Sequence, residues 1–280
     1  SLRPIRCSRN TALKRPSPLG NRQTPPRPRR PLEAPVDKYA LYSKAVQQPD
    51  VDVRFMRELY RELKGRTPRI LREDFCGTFS VCCEWAKLGT GYRAYGRDLN
   101  PEPLLYGRAR HLARLSAAQR SRVSVEAKDV LGPGGPSADM IVAMNFSYCT
   151  FKTRAAFKIY LVNCRKSLRR GGILALDCFG GAGVQKPNVE RTDNRGFVYY
   201  WEQFGFDPVS GEARFAIHFK PKGRKKIKDV FRYDWRIWTL PEIRDLLAEA
   251  GFRKTHVYWE GNDGKAKMEP VWIAFIAAEK

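Results

Sequence analysis

Residues 71–79 read LREDFCGTF, and this stretch decides the fold. The apolar run that begins near residue 69 predicts a short strand, and the apolar pattern over residues 80–88 predicts a helix soon after it. Gly77 stands between the two, and a residue without a side chain lets the backbone approach a ligand closely. A strand that turns through glycine into a helix is typical of α/β domains.

The strand–helix alternation continues on both sides of this stretch. Upstream, residues 39–46 and 51–63 carry apolar residues at helical spacing. Downstream, the pattern predicts strands over residues 92–95, 123–126, 140–144 and 173–176, and helices over residues 103–115 and 154–168. This rhythm predicts an α/β fold with a doubly wound, mostly parallel sheet that helices cover on both sides.

The pattern changes after residue 176. Two β-rich runs, residues 197–204 and 213–219, flank the turn sequence FDPVSGE, and a third run over residues 231–237 alternates apolar with charged residues. These runs predict a small antiparallel sheet inserted at about residues 190–238. A helix over residues 240–250 and two strands over residues 256–259 and 271–277 complete the predicted domain.

Three acids follow consecutive predicted strands: Glu73, Asp98 and Asp129. Ligands of open α/β sheets bind outside the carboxyl ends of the strands, so these side chains are expected around one site. Glu73 and Asp98 lie 25 residues apart, close to the spacing at which a second-strand acid reaches the hydroxyls of a ribose. Asp129 could accept a hydrogen bond from an adenine amino group. The sequence therefore predicts a nucleoside site.

The stretch at 71–79, with GRDLNPE at residues 96–102 and AKDV at residues 127–130, resembles the signature of class I S-adenosylmethionine-dependent methyltransferases. The similarity extends to the C-terminus and implies a seven-stranded sheet with an antiparallel last strand. It also implies S-adenosylmethionine as the cofactor, with its methionine end near Gly77, its ribose at Asp98 and its adenine at Asp129. The cofactor residues that the resemblance implies are Glu73, Gly77, Thr78, Asp98, Leu99, Asp129, Val130, Asn145 and Phe146.

The chain departs from the family pattern at two positions. The family loop usually carries glycines on either side of Gly77, where this chain has Phe75 and Phe79. Either the aromatic side chains make a tighter pocket wall, or the site is degenerate. The same residues argue against a nicotinamide dehydrogenase, which needs a Gly-x-Gly-x-x-Gly turn to admit a pyrophosphate.

Candidate residues for the methyl acceptor follow the fourth predicted strand. Asn145 and Tyr148 loosely resemble the Asn-Pro-Pro-Tyr motif of enzymes that methylate amino groups, although both prolines are missing. We therefore predict Asn145 and Tyr148 as catalytic residues, with a loop on the cofactor side as the alternative. Asp177 is either a substrate contact or a plain loop acid. Tyr39 and Tyr42 either cover a bound nucleoside or only anchor their helix.

The chain is strongly basic. Its 280 residues include 52 lysines and arginines against 29 acids, a formal net charge of +23. Nine of these basic residues and eight prolines lie within residues 1–37, which predicts a disordered tail, either without function or as an organelle transit peptide. The run KPKGRKK at residues 220–226 is either a solvated turn or a phosphate contact.

Two classes of function are consistent with these features. The first is a methyltransferase, with a small-molecule acceptor favoured over RNA or DNA. The second keeps the fold without the catalysis, as a nucleic-acid-binding protein or a degenerate methyltransferase. The seven scattered cysteines predict reduced, mostly buried thiols without a zinc site, and a cytoplasmic location. No membrane partner is expected, because no apolar run has the length of a spanning helix.

Overall fold

The structure is a computed structural model that describes residues 35–132, 134–260 and 270–280. Asp37–Lys280 form one compact unit. The tail predicted over residues 1–37 lies almost wholly outside the described residues, as does Cys7. The other six cysteines are buried and free, which confirms the prediction of reduced, buried thiols for them.

The described residues contain eleven strands in two sheets. In chain order they are β1 (Ile70–Asp74), β2 (Arg93–Asp98), β3 (Val123–Ala127), β4 (Ala138–Ala143), β5 (Leu168–Gly180), β6 (Asn188–Asn194), β7 (Phe197–Asp207), β8 (Glu212–Pro221), β9 (Ile227–Arg236), β10 (Lys254–Trp259) and β11 (Trp272–Glu279). The larger sheet has the order β10-β11-β5-β4-β1-β2-β3. Strands β1 to β5 pair in parallel, and β11 is antiparallel to both of its neighbours. The predicted doubly wound sheet with an antiparallel last strand is confirmed.

Helices cover both faces of this sheet. They are α1 (Lys38–Val46), α2 (Pro49–Lys64), α3 (Ser80–Lys87), α4 (Pro101–Arg110), α5 (Ala117–Arg120), α6 (Arg154–Ser167) and α7 (Leu240–Glu249). Strand β4 is buried at every position: Met140 and Val142 pack with α2 and α3, whereas Ile141 and Ala143 pack with α6 and α7. In the described ranges no helix has the length and apolar character needed to cross a membrane.

The predicted helix over residues 103–115 is wrong at both ends. Helix α4 begins at Pro101, because the Asn100 side chain accepts a hydrogen bond from the N–H of Glu102 and caps the helix. After α4 ends at Arg110, a capping box between Ser116 and Gln119 starts the separate short helix α5. Local capping side chains therefore override the apolar spacing across this region.

The inserted sheet has four strands, in the order β6-β7-β8-β9, where the sequence predicted three. The missed strand, β6, is polar and almost fully exposed, so it lacks the alternation by which a half-buried strand is recognised. One face of the sheet carries an aromatic cluster in which Trp201, Phe215 and Trp235 lie 5.0–5.9 Å apart between ring centroids. This face joins the core that α6 and α7 form.

Candidate functional site

Two adjoining cavities open at the carboxyl ends of the parallel strands. The larger has a volume of about 580 Å³ and the smaller about 260 Å³. Residues that line both cavities are Phe75, Asp98, Asn100, Ser147 and Tyr233. This is the edge at which open α/β sheets bind ligands.

Most of the predicted cofactor residues line one of these cavities. Lining the larger cavity are Asp98, Leu99, Asp129 and Val130. Lining the smaller cavity are Glu73, Gly77, Thr78, Asp98 and Asn145. Leu99 is 70% exposed, unusually open for a leucine beside a cavity. The structure thus brings together side chains from the ends of four strands.

Asp98, at the end of β2, fixes the loop that follows β1. The N–H of Gly77 donates to Asp98 Oδ2 at 2.7 Å, and the N–H of Asn100 donates to Oδ1 at 2.8 Å. A carboxylate has about four lone-pair sites, so Asp98 can still accept hydrogen bonds from a ligand. A Cβ built on Gly77 would meet nothing within 4 Å, which leaves space for a ligand against its backbone.

The two phenylalanines beside Gly77 adopt a backbone conformation that favours glycine. The φ angles are 57° at Phe75 and 47° at Phe79, against 51° at Gly77. The Phe79 ring is fully buried. Phe75 instead forms a wall of both cavities and packs against Phe151 and Tyr160, with ring centroids 5.8 and 5.9 Å away. The two phenylalanines that depart from the family pattern thus lie at positions where the backbone adopts the conformation that glycine favours.

Glu73 faces the smaller cavity from the end of β1. Its Oε2 accepts hydrogen bonds from the N–H of Cys82 at 3.2 Å and from the thiol of Cys82 at 3.0 Å. Burial raises the pKa of Glu73 to about 8, and the negative charges of Asp52 and Asp98 add to the rise, whereas the bonds from Cys82 oppose it. A positive charge beside this carboxyl group would stabilise its ionised form.

Thr78 has a polar atom that the protein leaves without a partner. Its Oγ1 is buried and makes no hydrogen bond in the described structure, although the residue lines the smaller cavity. Buried polar groups are almost always hydrogen-bonded, so such an atom in a cavity wall fits a polar ligand. Gly77 and Thr78 thus offer space and a hydroxyl group on the same side of the cavity.

The loop after β4 is held by a carboxylate from β5. The N–H of Asn145 donates to Asp177 Oδ2 at 2.6 Å, and the N–H of Phe146 donates to Asp177 Oδ1 at 2.9 Å. Both loop residues are left-handed, with φ angles of 57° and 56°. Asn145 and Ser147 line the smaller cavity. Asp177 itself is 6% exposed, so neither sequence-based interpretation, substrate contact or plain loop acid, describes it.

The structure places two predicted site residues elsewhere. Tyr148 is 1% exposed and stacks on Phe157 at 5.0 Å, away from the lining of both cavities. Burial raises the pKa of Tyr148 well above its usual value, so its hydroxyl group stays protonated. Phe146 packs against Phe179 at 4.6 Å and lines neither cavity. The structure therefore does not bring Tyr148 or Phe146 to the cavities, where the sequence analysis expected a catalytic residue and a wall of the cofactor site.

Helix α1 and strand β9 cover the smaller cavity. Tyr39 and Tyr42 from α1 contact the ring of Phe231 on β9, with ring centroids 5.8 and 5.1 Å away. Asp37 caps α1 by accepting from the N–H of Ala40 at 2.9 Å, and it also accepts from the hydroxyl of Tyr106 on α4 at 3.1 Å. The helix therefore contacts both β9 of the inserted sheet and α4 beside the cavity.

The aromatic residues of β9 are site residues that sequence reasoning did not identify. Tyr233 lines both cavities, Phe231 the smaller and Trp235 the larger. Their alternation with charged residues predicts a half-buried strand, but a period of two does not say what the apolar face covers. No local signal in the sequence could have placed them at the cofactor loops.

The charge of the cavities is opposite to that of the chain. Among the described residues that line them there is no lysine, arginine or histidine, whereas the carboxyl groups of Glu73, Asp74, Asp98 and Asp129 are present. Asp74 is already engaged by Arg72, whose Nε and Nη2 donate to it at 2.9 and 2.7 Å. The site therefore favours a ligand that is neutral or positively charged.

The comparisons with known proteins agree with this geometry at the level of the fold. No family model matches the sequence, and no curated protein sequence matches it. Solved structures of S-adenosylmethionine-dependent methyltransferases do match. The chain therefore has the fold of class I S-adenosylmethionine-dependent methyltransferases, as the sequence resemblance implies.

Three of these structures show the extent of the likeness. A methyltransferase from Clostridium acetobutylicum ATCC 824 matches with a TM-score of 0.66 at 15% identity, over 86% of this chain and 96% of that one. CalS10, an amino pentose methyltransferase from Micromonospora echinaspora, matches with a TM-score of 0.64 at 14% identity, over 86% and 95%. The sugar N-methyltransferase KedS8 from Streptoalloteichus sp ATCC 53650 matches with a TM-score of 0.59 at 16% identity, over 84% and 91%.

Proposed function

We propose that the protein is an S-adenosylmethionine-dependent methyltransferase that methylates an amine nitrogen of a small molecule. The observation that carries the proposal is the pair of cavities at the strand ends, where Asp98 holds the Gly77 loop and Glu73 and Asp129 flank it. The fold supports the cofactor class. The lining of the cavities supports the class of acceptor.

The residues present fit S-adenosylmethionine. In the larger cavity, the exposed Leu99 supplies an apolar surface for an adenine, and Asp129 supplies a hydrogen-bond acceptor. Asp98 lies between the cavities, where its free lone pairs can accept from ribose hydroxyls. The hydroxyl of Thr78 and the carboxyl group of Glu73 suit the polar and positively charged methionine end.

When bound, this cofactor supplies a methyl group that is already activated on a sulfonium. The protein then has to align the acceptor with that methyl group and exclude water. The roof of α1 and β9 over the smaller cavity excludes water, and Asn145 lies on the wall where its side chain can orient an acceptor nitrogen. No nucleophilic side chain is required for this reaction.

An amine is the acceptor that the lining favours. Carboxylates and phosphates would meet Glu73, Asp98 and Asp129 without a compensating cation among the described lining residues. Amines suit these acids and the aromatic rings of Tyr39 and Tyr233. Two structural neighbours, CalS10 and KedS8, are by their names an amino pentose methyltransferase and a sugar N-methyltransferase. The same lining disfavours RNA or DNA as acceptor, because a polyanion needs basic contacts near the reacting group.

The test is a methylation assay on a matched panel. Aliphatic and aromatic amines, the corresponding alcohols and the corresponding carboxylic acids are incubated with the enzyme and S-adenosylmethionine, and products are identified by mass spectrometry. We expect a mass increase of one methyl group on amines alone, and less product with the Asp98→Ala variant when S-adenosylmethionine is limiting. Methylation of acids or alcohols in preference to amines would contradict the proposed acceptor class.

A further inference from the structure

The clamp between β5 and the loop after β4 is unusual in its backbone. Asn145 and Phe146 are consecutive residues at positive φ, 57° and 56°, and neither is glycine. Their two N–H groups point at one carboxylate, that of Asp177, over distances of 2.6 and 2.9 Å. Consecutive amides that converge in this way form an anion-binding concavity. Here the anion is supplied by the protein itself.

The surroundings of Asp177 contain negative and neutral groups. Ionisable groups that interact with it include Asp52 on α2, Tyr42 on α1, Tyr148 and Cys149 after β4, and Cys178 on β5 itself. None of them carries a positive charge. The contacts that stabilise the ionised carboxylate are hydrogen bonds from backbone amides, chiefly those of Asn145 and Phe146.

We propose that Asp177 is a positioning residue of the site: its ionised carboxylate holds the Asn145–Phe146 backbone in the left-handed conformation that keeps Asn145 on the cavity wall. This role rests on the proposed function, because it concerns the loop that would contact S-adenosylmethionine and the acceptor. Asp177 does not touch either ligand in this account. It acts through the N–H groups of Asn145 and Phe146, from which it accepts hydrogen bonds.

Protonation should release the clamp. A carboxylic acid carries a hydroxyl group that donates, so it cannot accept two amide hydrogen bonds as the carboxylate does. Burial raises the pKa of Asp177 to about 7, against the bonds from Phe146 and Asn145, which lower it. The clamp is therefore complete above this pH and is lost as the pH falls through it.

The first test uses the amides themselves as probes. In the wild-type protein, the NMR signals of the Asn145 and Phe146 N–H groups should titrate together with a midpoint near pH 7. The internal control is Asp139, whose Oδ2 accepts from the N–H groups of Arg69 and Ile70, both at 2.9 Å. The signals of those two amides serve as the reference for backbone amides that another carboxylate holds. Static Asn145 and Phe146 amides would overturn the proposal without any variant having to fold.

The second test measures S-adenosylmethionine binding by calorimetry in the Glu73→Gln background, which removes the titration of a carboxyl group that lines the smaller cavity. We expect affinity to fall about tenfold between about pH 8 and pH 6 in this background. When Asp177→Asn is added, the side chain cannot accept hydrogen bonds from both amides as the carboxylate does. The double variant should therefore show, at both pH values, the weaker affinity that Glu73→Gln alone shows at about pH 6.

The outcomes separate the two proposals. A wild-type protein that binds no S-adenosylmethionine overturns the proposed function, and the positioning role with it. If Asp177→Asn changes the affinity for S-adenosylmethionine by no more than about twofold at about pH 8, the positioning role alone is overturned.

Discussion

The two edges of the large sheet each contain a buried aspartate that accepts from two consecutive backbone amides. At the carboxyl edge, Asp177 accepts from Asn145 and Phe146. At the opposite edge, Asp139 accepts from the N–H groups of Arg69 and Ile70, where β1 begins, and it also has Arg66 and Arg169 at 3.6 and 3.7 Å. Asp177 has no such cation among the described residues, and its pKa is raised by burial.

The difference in charge balance indicates that the two edges have different roles. At the Asp139 edge the charge is balanced inside the protein, and the clamp joins strands. At the carboxyl edge, charges are left for a ligand to balance, and the backbone is strained. Four of the five described non-glycine residues at positive φ lie there: Phe75, Phe79, Asn145 and Phe146. Strain of this kind collects at functional sites.

The largest effect on stability is expected at the Asp139 edge. Asp139→Ala removes a buried carboxylate that accepts from two partly buried amides, and it should lower the free energy of unfolding by about 2–4 kcal/mol. Asp177→Ala should lower the free energy of unfolding by less at about pH 8. This substitution also removes a buried negative charge that no ion pair in the described ranges offsets, which partly compensates for the lost hydrogen bonds. Urea denaturation of both variants measures the difference.

Ligand affinity should show the reverse order. S-adenosylmethionine affinity should stay within about twofold in folded Asp139→Ala and should fall about tenfold in Asp177→Ala. A variant of Asp139 that stays folded but loses cofactor affinity would break the distinction between the two edges.

A smaller effect is expected from the titration of Glu73 at the carboxyl edge. Its pKa is about 8 in the folded protein against a usual value of 4.5. As the pH rises from 4.5 to about 8, the unfolded chain releases a proton that the native protein keeps, so stability falls. Glu73→Gln removes this loss and should be relatively more stable at about pH 8.5 than at about pH 6, by about 1–2 kcal/mol.

The matched control for this titration is Glu58→Gln, an exposed position on α2. If the stability of Glu73→Gln relative to the wild type changes with pH no more than that of Glu58→Gln, Glu73 is not the titrating group of the carboxyl edge.

The smallest effect concerns the strained backbone itself. Asn145→Ala puts alanine at a φ of 57°, a conformation that asparagine tolerates better because of its side-chain amide. This substitution should lower the free energy of unfolding by about 1 kcal/mol. Asn145→Gly relieves the same strain and should stay within about 0.5 kcal/mol of the wild type. Equal stability of the two variants in urea denaturation would show that this backbone is not strained in solution.

Much of the fold could be predicted, because the apolar pattern of most strands indicates which of their faces are buried. The apolar run at 140–144 predicts a central strand, and β4 is buried on both faces. Glu73, Asp98 and Asp129 were also predictable as neighbours, since parallel strands place their carboxyl ends at one edge. These inferences need only local pattern and the topology of the sheet.

The rest depended on contacts between distant parts of the chain. Tyr148 follows Asn145 closely in sequence, yet a short 3-10 turn over Ser147–Thr150 directs it into the core. Tyr233 and Trp235 come from an inserted strand whose partner surface no periodicity reveals. In the sequence, Asp177 is an acid near the end of a predicted strand. Only the structure shows that its carboxylate accepts hydrogen bonds from the backbone N–H groups of Asn145 and Phe146.

The central claim is that the carboxyl edge binds S-adenosylmethionine through Asp98, and calorimetry tests it most directly. The account predicts one binding site per wild-type chain, and an affinity about tenfold or more weaker for Asp98→Ala, which loses charge-assisted hydrogen bonds to the ribose. Asp245→Ala, an exposed acid on α7, serves as the control and should bind as the wild type does. No heat of binding in the wild type, or equal affinity in a folded Asp98→Ala variant, would contradict the account.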